Sequence, residues 1–258
     1  MTALETRLSA ALALAAQAGA LAMQMRPPPG AAQATLKGAQ DWLTAADGAV
    51  EHMLSEALLA AFPQDGFQGE EGGTARPGTL RWLVDPIDGT SNYARGAARW
   101  CVSLGLLDGD VPVLGVLAAP ALNETFAARH GGGATLNGAP IHAAATTRLD
   151  RAIIEVGWSP RVDDAAWQAL CARLQASGAM LRNGGSGALG LADAAAGRLD
   201  GYAELHINLW DCAAALALLA EAGAVVTGFL PGGVQGGAPI LAAAPGLADT
   251  LAAVAAPL

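Results

Sequence analysis

Cysteine, histidine, positive charge and long hydrophobic runs are all scarce in this chain, and each shortage removes a class of function. The three cysteines, Cys101, Cys171 and Cys212, are odd in number and far apart, with no Cys-x-x-Cys pair. That pattern supports neither a disulfide framework nor a zinc cluster and suits a reducing, cytoplasmic setting. The four histidines, His52, His130, His142 and His206, are equally scattered and read as surface or satisfied core residues. Fourteen basic residues stand against 23 acids, and the net charge of −9 repels a phosphate backbone, so no nucleic-acid polymer is expected as a partner. With 53% hydrophobic and only 14% charged residues, the chain is neither disordered nor fibrous. Its 258 residues suffice for a sizeable core in one large domain or two closely packed ones.

Only residues 8–25 approach the length of a membrane span without glycine-rich or charged interruption. Glu5 offsets Arg7 ahead of that stretch, and Gln17 and Gln24 interrupt it. The spacing therefore predicts an alanine-rich helix ending at Pro27-Pro28-Pro29-Gly30, not a secretory signal, and no membrane is expected as a partner.

What the chain does have is an octapeptide, Val84-Asp85-Pro86-Ile87-Asp88-Gly89-Thr90-Ser91, that packing alone does not require. The apolar run at 80–84 predicts a strand, which puts Asp85 at its exit. Pro86 is expected to stop the ladder and turn the chain so that Asp88 comes beside Asp85. Two carboxylates held that close repel each other unless a cation lies between them, and a divalent metal meets that need. Gly89 and Thr90 add backbone N–H groups and a hydroxyl suited to a phosphate. An Asp-Pro turn followed by an Asp-Gly turn is the plainer explanation of the same residues.

Three more acidic positions fall at the ends of predicted elements. Thr44 and Asp47 have the form of a capping box, followed by Val50, Met53, Leu54, Ala57, Leu58 and Ala61 at helical spacing until Pro63. Gly69-Glu70-Glu71-Gly72-Gly73 is a glycine-flanked loop before the Asp85 strand, and Leu209-Trp210-Asp211-Cys212-Ala213-Ala214 opens an apolar helix that runs on to Gly223. Capping explains Asp47 and Asp211, and a solvated loop explains Glu70, when each is taken alone. Together they sit where layered folds assemble ligand sites. Further strands are predicted around 101–107, at 113–118 and at 125–128, with turns at Asp108-Gly109-Asp110 and Asn137-Gly138 that imply antiparallel connections. From 152–156 onward strands and helices alternate more regularly. The boundary is placed so that residues 1–148 form an N-terminal α+β region with most of the acids and 149–258 a C-terminal α/β region with Asp211.

In order and spacing these motifs resemble the signature set of the inositol monophosphatase family. The resemblance rests on Asp85-Pro86-Ile87-Asp88-Gly89-Thr90, Gly69-Glu70-Glu71, Lys37 through Asp41, Thr44 to Asp47, Trp210-Asp211-Cys212-Ala213-Ala214 and Glu221-Ala222-Gly223. It implies a layered α/β/α/β/α sandwich and Mg²⁺-dependent, in many members lithium-sensitive, hydrolysis of a phosphate monoester, commonly by a homodimer. Carried over by position, Glu70, Asp85 and the Ile87 carbonyl would hold one Mg²⁺, Asp85, Asp88 and Asp211 a second, and Asp47 with Glu70 a weaker third through water, with Mn²⁺ as an alternative ion. Glu70, Asp47 and Thr90 would be the catalytic group, Thr90 hydrogen-bonded toward Asp47 and orienting the attacking water. Asp88, Gly89, Thr90 and Asp211 would meet the phosphate end of the substrate, with Gly185, Ser186, Gly187 and Glu204 lining the pocket for its alcohol. The chain departs from the family pattern at Tyr93, Arg95, Ala98 and Ala224, which concerns the rim of the site and not its acids.

Glu204 favours a small polyol or sugar phosphate such as inositol monophosphate, because a second substrate phosphate would call for cations there. Lys37, Arg161 and Arg182 keep a 3′(2′),5′-bisphosphate nucleotidase open, and a histidinol-phosphate phosphatase belongs to the same set. Gly185-Ser186-Gly187-Ala188-Leu189-Gly190 also fits G-x-G-x-x-G, yet the segment before it, 181–184, is a poor buried strand for a dinucleotide fold. As a nucleophile elbow around Ser186 it fails at Ala188. A non-catalytic scaffold is the reading from a different class, and the intact acids argue against it.

Overall fold

The computed structural model describes residues 2–28, 35–38, 41–72, 76–227, 229 and 237–256. Of the 37–41 motif, residues 39 and 40 lie outside these. A hairpin of β1 (Thr35–Gly38) and β2 (Asp41–Leu43) precedes the two main sheets. The first sheet runs in the order β3 (Gly66–Gly69), β4 (Leu80–Asp88), β5 (Cys101–Asp108), β6 (Val111–Ala119), β7 (Glu124–Arg129), β8 (Gly133–Leu136) and β9 (Ala139–Ile141), antiparallel except for β3 with β4. The second contains β10 (Ile153–Val156), β11 (Met180–Arg182), β12 (Gly201–Ile207), β13 (Val225–Thr227) and β14 (Ala238–Ala243) in the order β11-β10-β12-β14-β13.

Helices fill the three remaining layers. On the outer face of the first sheet lie α1 (Ala3–Met25) and α2 (Ala45–Ala61), with the short α3 (Thr90–Ala94) following β4. The far face of the second sheet carries α4 (Asp164–Ala176) and α7 (Ala248–Ala255). Between the sheets lie α5 (Gly187–Ala195) and α6 (Leu209–Ala222). Three apolar clusters match the three helical layers, so the architecture is the α/β/α/β/α sandwich that the motifs implied.

Local sequence accounts for the elements that matter to the site. Thr2 and Glu5 form a capping box that starts α1 at Ala3, five residues earlier than the alanine-rich stretch alone suggests. By length and composition α1 would span a bilayer, but Ala11, Ala15, Ala18 and Ala22 are fully buried against α2 and the first sheet. Asn137 and Gly138 both take positive φ, at 51° and 80°, which gives the tight β8–β9 hairpin expected of that pair. Gly105 and Gly115 are cross-strand partners beneath α6. A Cβ on Gly105 would come within 2.6 Å of Ala213 Cβ, so these glycines let α6, and with it Asp211, lie close on the sheet.

Pro86 does not end β4. The strand continues to Asp88, and the ladder absorbs the proline by a bulge in which Asp85 faces Ser103 while Asp88 faces Cys101. Proline lacks the N–H that a regular ladder needs, and a bulge is where a strand tolerates it. Ser103 and Cys101 are two residues apart and share a face of β5. Their partners Asp85 and Asp88, three apart in sequence, are thereby brought to one face as well.

Candidate active site

Three carboxylates from three different elements converge. Glu70 follows β3, Asp85 lies before the β4 bulge and Asp211 is in the first turn of α6, and one ligand oxygen from each lies within 4.8 Å of the other two. Asp85 is 2% exposed, and burial together with the negative charges of Glu70, Asp88 and Asp211 holds its pKa well above the usual carboxylate range. Burial likewise pushes Asp211 up to about 8 and Asp88 up to about 6. Clustered acids of this kind, Asp85 buried and Glu70 and Asp211 half-buried, are stable together as anions only with a cation among them, and an all-carboxylate donor set suits a hard divalent ion such as Mg²⁺.

Asp211 and, outside the trio, Asp47 are aimed by the helix starts that predict them. Asp211 Oδ2 accepts from the Asn208 N–H at 3.0 Å and from Asn208 Nδ2 at 3.1 Å, and Asp47 Oδ2 accepts from the Thr44 N–H at 2.8 Å. Asp47 is fully buried, and its second oxygen, Oδ1, has no hydrogen-bond partner. A buried carboxylate oxygen without a donor calls for a cation or a water. This supports a ligand near Asp47, although Asp47 is not part of the Glu70, Asp85 and Asp211 trio.

Other expected residues have different partners. The Thr90 hydroxyl donates to the Ile87 carbonyl at 2.9 Å and not to Asp47, because the β4 bulge turns that carbonyl toward the start of α3. Asp85 Oδ1 accepts the Ile87 N–H at 2.9 Å, closing an Asx-type turn inside the bulge. Asp88 Oδ2 accepts the Ser186 hydroxyl and, at 3.1 Å, the Ala188 N–H, which ties the octapeptide to the N-terminus of α5. Gly89 caps α3 with φ of 87°. A Cβ there would lie 3.0 Å from the Arg99 carbonyl oxygen and 3.1 Å from that of Gly185, so only glycine closes this turn.

Beside the trio lies a cavity of about 330 Å³ whose lining includes Asp88, Gly185, Ser186, Gly187, Glu204 and Asp211. Asp47, Glu70, Asp85, Ile87, Gly89 and Thr90 are outside its lining, and Asp211 belongs to both the carboxylate trio and the cavity. Glu204 is 7% exposed and not an ordinary surface strand residue. Burial pushes its carboxyl up to about 8, and the Tyr202 hydroxyl donates to its Oε2. The G-x-G-x-x-G segment opens α5, but it follows β11, an edge strand whose ends, Met180 and Arg182, are exposed, and its serine is engaged by Asp88. Sequence reasoning missed Glu51, Asn92, Arg99, Glu155, Trp158 and Tyr202, which support or line this region, because nothing in their spacing links them to it.

Compared with known families, residues 3–256 match the inositol monophosphatase family. The chain belongs to that family. Its members are phosphatases that act on small phosphate substrates and in general depend on Mg²⁺. Among curated relatives, the chain is 38% identical over 199 residues to the Nus factor SuhB of Xylella fastidiosa, covering 75% of this chain and 71% of that protein. It is 37% identical over 196 residues to an inositol-1-monophosphatase of Synechocystis, covering 74% and 68%. Among solved structures, the inositol monophosphatase of Anabaena (Nostoc) superposes with a TM-score of 0.85 at 34% identity over 98% of this chain and 96% of that one. The extragenic suppressor protein SuhB of Bartonella henselae superposes with 0.90 at 28% identity over 98% and 99%.

Proposed function

We propose that this family member hydrolyses a small polyol or sugar monophosphate, inositol monophosphate being the type substrate, at the junction of the carboxylate trio and the 330 Å³ cavity. The observation that carries the reading is Asp211, which is shared by the metal-suited acids and the cavity. Glu70, Asp85 and the Ile87 carbonyl are assigned to one Mg²⁺, Asp85, Asp88 and Asp211 to a second, and Asp47 with Glu70 to a third. Magnesium, when bound, supplies Lewis acidity toward the phosphate and its attacking water. Among the protein groups, Asp47 Oδ1 is a buried acceptor available to hold that water, and the Thr90 hydroxyl, which donates to the Ile87 carbonyl in this structure, is the second group assigned to orient it. Glu70 would take the water's proton as the new P–O bond forms and the bond to the alcohol oxygen breaks, the departing alkoxide being protonated from solvent. The Gly89 and Thr90 N–H groups would donate to the phosphate oxygens, and Glu204 would hydrogen-bond a hydroxyl of the alcohol.

Glu204 places a carboxyl where a second substrate phosphate would call for a cation, which favours a neutral alcohol. A bisphosphate nucleotidase or histidinol-phosphate phosphatase remains the alternative within the family. The relatives called Nus factor point to a second, non-catalytic reading, against which stands the convergence of Glu70, Asp85 and Asp211. We further take the enzyme to be a lithium-sensitive homodimer, as the family resemblance implies, and cytoplasmic, as its scattered cysteines suggest. Phosphate release from inositol 1-phosphate, histidinol phosphate, fructose 1,6-bisphosphate and 3′-phosphoadenosine 5′-phosphate, with and without Mg²⁺, tests the reading. Preference for inositol 1-phosphate is expected, and no metal-dependent release from any of them would end it.

A further inference from the structure

The cavity has one wall that the proposed chemistry does not use. Trp158, on the loop after β10, lines it and is 39% exposed, the one tryptophan among those whose side chains are described that is left so open. Three hydrogen bonds fix its position. The Gly157 N–H donates to the Ala203 carbonyl at 2.9 Å, Trp167 Nε1 donates to the Gly157 carbonyl at 2.8 Å, and Trp158 Nε1 donates to Asp164 Oδ1 at 3.2 Å. Asp164 is not on the cavity lining, so the only polar atom of the indole is engaged away from it. What Trp158 offers the cavity is rigid, flat hydrocarbon.

That surface stands beside polar groups. Gly157, the residue before Trp158, packs against Glu204 and the Tyr202 hydroxyl, and a Cβ at Gly157 would lie 2.6 Å from Glu204 Cδ. An aromatic face next to buried hydrogen-bond acceptors matches a ligand with one apolar face and a polar edge. A ring of sp³ carbons bearing hydroxyls is such a ligand, since its axial C–H bonds form a flat apolar face. An acyclic polyol presents none. The lining carries a single guanidinium, that of Arg161, where a second substrate phosphate would call for a cluster of cations, which weighs against an alcohol that carries one.

We propose that Trp158 is a specificity-determining residue, the wall on which the ring of a cyclic alcohol lies while its hydroxyl edge meets Glu204, so that cyclic phosphates are preferred over acyclic ones. This rests on the phosphatase reading above. The test compares wild type, Trp158→Ala and Trp158→Phe on myo-inositol 1-phosphate, glycerol 2-phosphate and 3′-phosphoadenosine 5′-phosphate with Mg²⁺. In Trp158→Ala, KM for the inositol phosphate should rise about tenfold more than KM for the glycerol phosphate, with kcat moving far less, and Trp158→Phe should restore most of the difference. Equal changes on both substrates, or a loss that Phe does not rescue, overturn the proposal. So does a wild-type preference for the nucleotide that disappears in Trp158→Ala, which would give the indole to a base. Absence of phosphate release from every substrate overturns the phosphatase reading and this proposal with it, whereas turnover without a substrate-dependent change in KM overturns this proposal alone.

Discussion

The carboxylate of Glu51 accepts the backbone N–H of Glu71 at 2.7 Å and also that of Gly72, so the helix that presents Asp47 holds the loop that presents Glu70. Glu51 is one helical turn beyond Asp47 and 6% exposed. Replacing it by Gln turns one of two acceptor oxygens into a donor facing an N–H. The Glu70 loop should loosen, and the Mg²⁺ concentration for half-maximal activity should rise about tenfold, equivalent to ~1.4 kcal/mol, in line with loss of a charge-assisted hydrogen bond. A Mg²⁺ titration of phosphate release checks this. An unchanged midpoint would mean that the loop keeps its place without Glu51.

Asp85 separates a ligand role from a structural one, because the two give opposite signs. Burial and three neighbouring acids raise its pKa, so its ionised form is a burden on the fold when no cation is present. Asp85→Asn should therefore melt higher than wild type in EDTA at pH 8, while its Mg²⁺-dependent turnover falls by at least about 10³-fold. If Asp85 served only the turn at Ile87, the variant would lose about 1 kcal/mol of stability and keep its activity. Thermal melts in EDTA and a phosphate-release assay distinguish the cases.

How far the sequence speaks for itself differs from residue to residue, and distance along the chain decides it. The Thr44–Asp47 capping box and the Asn137-Gly138 hairpin depend on contacts within four residues, and both are legible by spacing. Asp85 and Asp88 are legible as a pair, but the bulge that puts them on one face is set by the partner strand, which spacing within the octapeptide does not reveal. The Ser186 to Asp88 bond spans 98 residues and the Arg99 to Glu155 pair 56, and no local pattern encodes such meetings. Trp158 could be found only once the fold had put it on a cavity wall instead of in one of three cores that have room for tryptophan.

The pH dependence of the metal-free protein follows from Asp88, Asp211 and Glu204, whose carboxyls are pushed up to about 6, 8 and 8. Their unfolded values are near 4, so between about pH 4 and pH 8 the folded state holds protons that the unfolded state has released. Acidification through that window stabilises the fold, and alkalinisation removes the gain, by ~1.4 kcal/mol per pH unit for each proton so held. Melting in EDTA should accordingly move up as pH falls from 8 to 6, and added Mg²⁺ should raise Tm more at pH 8 than at pH 6. A Tm in EDTA that rises with pH over this range would show that these acids are not the dominant linkage.

Arg99 gives the sharpest case of a support that the motifs do not contain. Its guanidinium bridges Glu155 Oε2 at 2.8 Å and Asp193 Oδ2 at 2.7 Å, while Glu155 Oε1 accepts the Gly184 N–H at 3.2 Å. Asn92 Nδ2 donates to the carbonyls of both Arg99 and Gly184 at 2.8 Å, so the segment after α3 and the pocket loop are held from two sides. In Arg99→Met, Glu155, 3% exposed, keeps its burial and loses its cation. Breaking a buried pair this way destabilises by about 2–4 kcal/mol, somewhat less than for a fully buried arginine. Burial already raises the Glu155 carboxyl and Arg99 opposes the rise, so in the variant the folded-state pKa climbs further. A folded pKa raised above the unfolded one means that protonation favours the fold, and the deficit relative to wild type should shrink as pH drops from 8 to 5.5. Arg99→Met combined with Glu155→Gln should recover most of the loss at pH 8, because the uncompensated charge is then gone. Urea unfolding of wild type, the single variants and the double variant at both pH values measures each term. A deficit that is the same at pH 5.5 and pH 8, and that persists in the double variant, would place the role of Arg99 in packing of its aliphatic stem and not in charge.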